Sequence, residues 1–407
     1  MKVVVSALNA DTVVVLQDRQ HNHNFFTFFS FPEFVDKKIL GIVVGVAVVI
    51  AIIAVSLGQE DSPPIIKQEK NENLGLVINT PTSSVSLRDI DEIYSDASST
   101  GIGRSNVYLF WNLIEPQKDE FDWQQSDILM GLDQKNDLKV TLYFSIINGP
   151  TLGPFPNWIG KPSINAIQED RLVIVLDEIL SRYDIVDTVI IAGETESQFR
   201  YNEQNIPVYK ELFNNVYSQL KEKHPDVKFG NGFALHHVLN KDLEHIVSDL
   251  AVGDFVAFSY FPVDSLNDIV KTPEQATQDL QRSLEIAQGK KVGFFEVSWS
   301  TSDFVGGSEA SQQEFLEKTF EFYSENESEI EFLTWYRQYD RPEGTCVSEQ
   351  QDIGETSIDV GGGSGMGSSE FVIERLNHYI CNAGLYDVNG NPKPSWNEFK
   401  TQVQMLN

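Results

Sequence analysis

The sequence predicts a closed (β/α)8 barrel, and three observations predict it. From residue 74 onward, short apolar runs alternate with amphipathic stretches of helical period, and strands that alternate with helices pair in parallel through right-handed crossovers. The runs number eight, at 74–79, 106–110, 139–144, 188–192, 228–233, 255–259, 292–295 and 332–336, which is the count a closed barrel needs. An open doubly wound sheet would want a glycine-rich phosphate loop after its first strand, and 78–84, INTPTSS, has no glycine.

The chain in order begins with residues 1–38, where Phe25, Phe26, Phe28, Phe29 and Phe31 cluster without a periodic partner. That stretch reads as a cytoplasmic or interfacial segment, or as residues ahead of a true start near Lys37. Residues 39–57, ILGIVVGVAVVIAIIAVSL, carry no charge over a length that crosses a bilayer as a helix. Lys37 and Lys38 precede it while Glu60 and Asp61 follow, which orients the N-terminus to the cytoplasm. The expectation is a single-pass anchor in the cell membrane with the rest of the chain outside. A cleaved signal peptide ending near Ala54-Val55-Ser56 is the competing reading. Residues 58–73, polar and holding Pro63-Pro64, read as a spacer, and 74–407 as the barrel.

Helical patterns fall at 168–183, 207–224, 273–288 and 311–326, between the apolar runs. The stretch 342–370, with Gly361 to Gly363 and Gly365, reads as a mobile lid or a plain insertion. Cys346 and Cys381 are too few for a disulfide framework or a zinc site. On the external side of a membrane they form one disulfide, or else two buried thiols. No HExxH pattern or cluster of acidic and histidine residues calls for a metal, and no cofactor motif is present. The net charge of −30 argues against nucleic acid, which needs a basic stripe, and against a polyanionic glycan. A neutral oligo- or polysaccharide stays open.

Barrel chemistry sits at the C-terminal ends of the strands. There the second run ends in Trp111-Asn112, the fourth leads to Glu194, the fifth to His236-His237, the sixth to Tyr260, the seventh to Glu296 and then Trp299, and the eighth carries Trp335. A carboxylate at the end of an apolar strand is costly unless something uses it. Strands 4 and 7 face each other across an eight-stranded mouth, so Glu194 and Glu296 can approach to roughly 5 Å, the separation at which glycosidic bonds are cut with retention. Glu296 is then the ionised nucleophile. Glu194, raised by the neighbouring charge, is the acid and later the base, with Glu196 as a rival for that role. Trp111 and Trp299 either line the cleft or pack. On an extended segment His236 and His237 point opposite ways, so at most one faces the cleft.

Several stretches resemble the large clan of retaining (β/α)8 glycoside hydrolases: Trp111-Asn-Leu-Ile-Glu-Pro-Gln-Lys-Asp-Glu-Phe-Asp-Trp123, Asp254-Phe-Val-Ala-Phe-Ser-Tyr-Phe-Pro262, Phe295-Glu-Val-Ser-Trp299 and Gly384-Leu-Tyr-Asp-Val-Asn-Gly-Asn-Pro-Lys-Pro-Ser-Trp396. Around strands 6 and 7 the likeness is greatest to endo-β-1,4-galactanases and β-galactosidase-type barrels. The resemblance implies an acid/base after strand 4, a nucleophile after strand 7, a Tyr260 that hydrogen-bonds the nucleophile, and a Trp335 on which a sugar face stacks. One position departs from the pattern: where the clan has Asn-Glu, with the Asn bonded to the sugar 2-hydroxyl, this chain has Gly193-Glu194. Gly193 therefore keeps a second expectation open, a catalytically lapsed barrel that binds carbohydrate at the cell surface.

Overall fold

The structure is a computed structural model that describes residues 2–8, 11–17, 69–82, 85–347 and 370–407. The chain divides into two units, Met1–Lys67 and Gln68–Asn407. In the first, strands Lys2–Leu8 and Asp11–Gln17 pair antiparallel, from Lys2 opposite Gln17 to Leu8 opposite Asp11. The membrane-length stretch 39–57, the phenylalanine cluster 25–31, residues 58–68 of the expected spacer and residues 348–369 of the glycine-rich stretch lie outside the described residues. Among the described residues no helix is long and apolar enough to cross a membrane.

The second unit is the barrel. Its strands are β1 (Asn71–Leu76), β2 (Ile102–Tyr108), β3 (Lys139–Tyr143), β4 (Val186–Ala192), β5 (Lys228–Ala234), β6 (Phe255–Tyr260), β7 (Lys291–Val297) and β8 (Ile330–Trp335). All neighbours run parallel, and β8 closes onto β1 with Leu333 opposite Leu74. Helices α1 (Leu87–Ser98), α2 (Gln124–Lys135), α3 (Glu169–Arg182), α4 (Ile206–Lys223), α5 (Glu244–Asp249), α6 (Pro273–Ile286), α7 (Glu309–Glu325) and α8 (Pro394–Met405) follow the strands in turn. The starts of α1 and α6 are written locally. Ser86 with Asp89, and Thr272 with Gln275, form reciprocal caps that satisfy otherwise orphaned N–H groups. The first strand begins at Asn71, inside the stretch read as spacer. Its polar residues sit at the barrel's lower end, where Asn71 Nδ2 donates to Leu406 O at 3.0 Å and Arg104 Nε donates to Glu72 O at 2.6 Å.

Strand alternation then decides what fills the interior. On β2 the inward residues are Arg104, Asn106 and Tyr108, a polar ladder in a place usually apolar. At its foot the Arg104 guanidinium meets Asp187 at 3.0 and 3.2 Å, donates to Thr141 Oγ1 at 2.8 Å and lies 5.1 Å from the Phe332 ring. Above it Asn106 Nδ2 donates to the Phe295 carbonyl, beside an apolar layer of Ile190, Phe255, Ala257, Phe295 and Phe332. Outside the strands a continuous core joins sheet to helices.

The C-terminal stretch of the hydrolase-like sequence anchors the loop after β8. The Lys393 ammonium pairs with Asp340 at 2.7 Å, both almost fully buried, and Gly384 N donates to Asp340 Oδ1 at 2.8 Å. A Cβ on Gly384 would lie 2.2 Å from Asp340 N, so no larger residue fits. Removing one partner of a buried pair of this kind typically costs about 3–5 kcal/mol. Cys346 and Cys381 form a disulfide with Cα atoms 5.6 Å apart. It ties the segment after β8 to the helix Glu370–Cys381 and settles the choice the sequence left open.

Candidate active site

The site is built where β2, β3, β4, β7 and β8 end. On β7 the register with both neighbours shifts around Phe295 and Glu296. A bulge of this sort re-aims a side chain. Phe294 packs outward on Phe322 of α7, whereas Phe295 and Glu296 both turn inward, Phe295 against Tyr143 and Glu296 onto Tyr108. Glu296 is 5 % exposed, and the Tyr108 hydroxyl donates a short hydrogen bond to its Oε1. Burial pushes the Glu296 carboxyl up to about 8; the Tyr108 hydrogen bond and the Arg337 charge oppose that rise, and the Glu194 charge adds to it. Arg337 is itself buried after β8, donating to the Tyr336 hydroxyl at 2.7 Å.

Glu194 follows β4 in the left-handed conformation, φ 48° and ψ 42°, at the start of the short helix Thr195–Phe199. That backbone is uncommon for a residue with a Cβ and is often found at functional sites. Glu194 is half-buried, and its charge acts on both Glu296 and Tyr143. The two glutamates singled out from sequence therefore meet electrostatically over one mouth. Glu196 is occupied elsewhere: it is fully buried, accepts from Ala234 N at 3.1 Å and Ser197 Oγ at 3.0 Å, and lies 3.5 Å from His237 Nδ1. Its carboxylate fixes the end of β5.

Gly193 has a steric reason. A Cβ there would lie 1.8 Å from the Tyr143 hydroxyl oxygen and 2.5 Å from its Cζ, so the Tyr143 phenol takes the space an Asn side chain would need. The loop after β3 grips the same backbone. Gly193 N donates to Ile147 O and Ser145 Oγ, each at 2.8 Å, and Gly149 N donates to Gly193 O at 3.1 Å.

The other expected site residues are placed differently. Tyr260 does not reach Glu296: its hydroxyl donates to Asp279 Oδ2 on α6 at 2.6 Å, and its ring packs on Phe315 of α7. The hydrogen bond expected of it is made by Tyr108. Trp335 is 1 % exposed and turned outward onto Phe315, while Tyr336, one residue on, faces inward beside Phe261. Trp299 also packs on Phe315, and its carbonyl accepts from Gln312 Nε2. Trp111 is buried against Phe144 and Phe155, with Nε1 donating to Glu115 Oε2 at 2.9 Å. All three tryptophans are core residues rather than sugar platforms. Asn112 stays half-buried on the rim, its Oδ1 without a hydrogen-bond partner among the described residues. His236 and His237 begin a helical turn, Leu235–Asn240, not an extended segment, so their rings lie together at 4.4 Å. His236 is buried under Phe261, and burial holds its imidazole well below the ordinary value, keeping it neutral.

Among the described residues no group of three or more His, Cys, Asp or Glu side chains could hold a metal ion. Among the described residues the mouth holds the carboxyls of Glu194 and Glu296, the inward tyrosines Tyr108, Tyr143 and Tyr336, and the buried Arg337 guanidinium. One carboxyl is locked by a phenol, and the other is more exposed and reaches it through its charge. Such a pair can add a nucleophile to one face of a reacting carbon and move a proton on the other.

No family model and no curated protein matches the sequence. Solved structures do match the fold. A GH5_18 protein from Bifidobacterium longum subsp. longum superposes with a TM-score of 0.58 at 13 % identity, covering 83 % of this chain and 79 % of that one. A GH5_18 variant from Streptomyces cattleya in complex with Manβ1-4GlcNAc gives 0.59 at 12 %, covering 82 % and 80 %. The native xylanase 10B of Thermotoga maritima gives 0.51 at 14 %, covering 82 % and 96 %. Likeness at this identity establishes the barrel.

Proposed function

We propose that the protein is a glycoside hydrolase that cleaves β-glycosidic bonds of a neutral glycan with retention. Glu296 acts as nucleophile and Glu194 as acid and then base. The observation that carries the reading is Glu296 itself, a carboxyl brought to the mouth by a β7 bulge, gripped by Tyr108 and within reach of the Glu194 charge. The likeness to glycoside hydrolase barrels, one of them in complex with Manβ1-4GlcNAc, adds to it.

In the first step Glu194 gives its proton to the glycosidic oxygen as the bond to the anomeric carbon breaks. The Glu296 oxygen that Tyr108 leaves unheld bonds that carbon, forming a glycosyl ester. In the second step water attacks the same carbon, Glu194 takes its proton, and Glu296 departs as carboxylate. Two inversions return the original configuration. The reactive state has one proton on the pair and holds it on Glu194. Since burial draws protons toward Glu296, its position and the pH limbs belong to the two carboxyls jointly. The charge-free length of residues 39–57, with lysines before it and acids after it, supports a membrane anchor with the chain that follows outside the cell as part of the same proposal.

The test assays the full chain and its Glu296→Gln variant on aryl β-glycosides and on β-linked galactan, mannan and xylan, galactan first because strands 6 and 7 resemble galactanases. We expect turnover by the wild type, retained configuration in the first-formed sugar by NMR, and a loss of at least about 10³-fold in kcat in the variant. Unchanged turnover in the variant removes Glu296 as nucleophile. Glycan binding without turnover favours the lapsed, carbohydrate-binding barrel.

A further inference from the structure

Among the described residues Tyr143 is the inward tyrosine of the mouth that is neither fully buried nor hydrogen-bonded to a carboxylate. It ends β3 half-buried, with its ring 5.4 Å from Tyr108 and 5.9 Å from Phe295, and it feels the charges of Glu194, Glu296 and Glu196. Its oxygen stands where a side chain on Gly193 would begin, directly before Glu194 in the chain.

The direction of its hydroxyl follows from its neighbour. Asn148 Nδ2 is turned to two backbone carbonyls, Ser145 O at 3.4 Å and Gly153 O. Its Oδ1 therefore faces Tyr143, and the Tyr143 hydroxyl donates to it at 2.8 Å. The proton is thus spent inside the protein, and the phenol oxygen, with the Ser145 hydroxyl beside it, has acceptor capacity left to offer. Asn148 is in turn fixed by the short strand pair Ile147–Asn148 and Thr151–Leu152, and by the backbone bonds of that loop to Gly193. Gly193, the loop after β3 and Tyr143 form one built unit, which sets a neutral acceptor beside the backbone that leads into Glu194 and one ring away from Tyr108, the donor to Glu296.

We infer that Tyr143 is a substrate-contact residue whose oxygen accepts a hydrogen bond from the hydroxyl on the carbon next to the reacting one, and that Gly193 is required to seat it there. The inference rests on the hydrolase reading above and deepens it. A group at the level of the strand ends, next to the residue that precedes the acid and against the ring that holds the nucleophile, meets the sugar beside its anomeric carbon. An acceptor there selects sugars whose neighbouring substituent can donate.

The experiment compares wild type, Tyr143→Phe and Gly193→Ala, as full chains, on 4-nitrophenyl β-galactoside, β-glucoside, β-mannoside and β-xyloside and on their 2-deoxy counterparts. Tyr143→Phe keeps the ring and removes only the oxygen, and thermal melts confirm that each variant is folded. For the sugar that wild type turns over, kcat/KM falls about 10–100-fold in Tyr143→Phe on the 2-hydroxy substrate and is unchanged on the 2-deoxy one. Gly193→Ala, whose Cβ displaces the phenol, gives the same selective loss. Equal losses on both substrates, or no loss on either, overturn the assignment. If wild type turns over none of the glycosides, the hydrolase reading fails by itself. Calorimetry with the same glycosides then decides Tyr143: weaker binding of the 2-deoxy form that disappears in Tyr143→Phe supports it, and equal or absent binding of both forms overturns it.

Discussion

Two carboxyls of this molecule are pushed by burial to about 8, Glu296 in the mouth and Asp133 behind the barrel wall. Asp133 lies on α2 against the outer face of β2. It is fully buried, accepting from Ser105 Oγ at 2.6 Å while its Oδ2 has no partner among the described residues. Its neighbours are neutral hydroxyls, Ser105 beside it and the buried Tyr94, with no cation to hold a charge, so burial favours its neutral form between sheet and helix. Glu296 is buried almost as deeply but sits among a donating phenol, a guanidinium and a second glutamate. A shifted titration therefore does not mark a site by itself. What sets Glu296 apart is its opposed charged neighbours at the open end of the strands.

The sharpest way to break that contrast is to remove the acid. Replacing Glu194 by Ala lowers kcat/KM about 10²–10⁴-fold on glycosides with poor leaving groups and little on activated aryl glycosides, because only poor leaving groups need a proton. Replacing Asp133 by Asn changes kcat/KM on either substrate by less than about threefold. Equal sensitivity of both substrates to Glu194→Ala would take the acid role from it, and a large effect of Asp133→Asn would dissolve the contrast.

A finer cut reads Glu296 through its neighbours. On an activated aryl glycoside the acidic limb of kcat/KM follows the first ionisation of the carboxyl pair in the free enzyme, and with it that of Glu296, the proposed nucleophile. Tyr108 lowers the Glu296 pKa by hydrogen bonding its charged form, so Tyr108→Phe moves that limb to higher pH. Glu194 raises it by repulsion, so Glu194→Gln moves the limb to lower pH. Each displacement is about half to one pH unit. Limbs that moved the same way would mean that Glu296 is not the group being read.

The strand order and the positions of Glu194 and Glu296 at strand ends are legible in the sequence because an apolar run that ends in a carboxylate is costly. What was not legible follows from two physical facts. The run at 106–110 misses the start of β2, Ile102–Tyr108, because Gly103, Arg104 and Ser105 break the expected apolar signal where Arg104 faces the barrel interior. The period-two spacing of Arg104, Asn106 and Tyr108 was the signal that could have found Tyr108. At β6 and β8 the error was one residue of register, which exchanges the faces of adjacent aromatics. Tyr260 and Trp335 went to the helices, leaving Phe261 and Tyr336 for the mouth. Glu194 and Glu296 escaped the same ambiguity for local reasons: a left-handed turn sets one and a bulge the other.

The smallest expected effect concerns stability, where Asp133 and Glu296 behave alike. Each has a folded pKa of about 8, raised from 3.8 for Asp133 and from 4.5 for Glu296. Each prefers its neutral form in the fold, so its stabilising contribution is complete below the unfolded pKa and is lost as pH rises through about 8. Asp133→Asn and Glu296→Gln keep a neutral, similarly shaped side chain at every pH and escape that loss. The Tm of each variant relative to wild type therefore climbs between pH 5 and pH 9, by on the order of 1–3 kcal/mol or a few degrees. Melting curves across that range test it, and a difference that stays flat or falls would mean that the carboxyl is ionised in the fold. Joined to the kinetics, the pattern separates the two residues: Glu296→Gln gains stability while losing turnover, and Asp133→Asn gains stability at no catalytic cost.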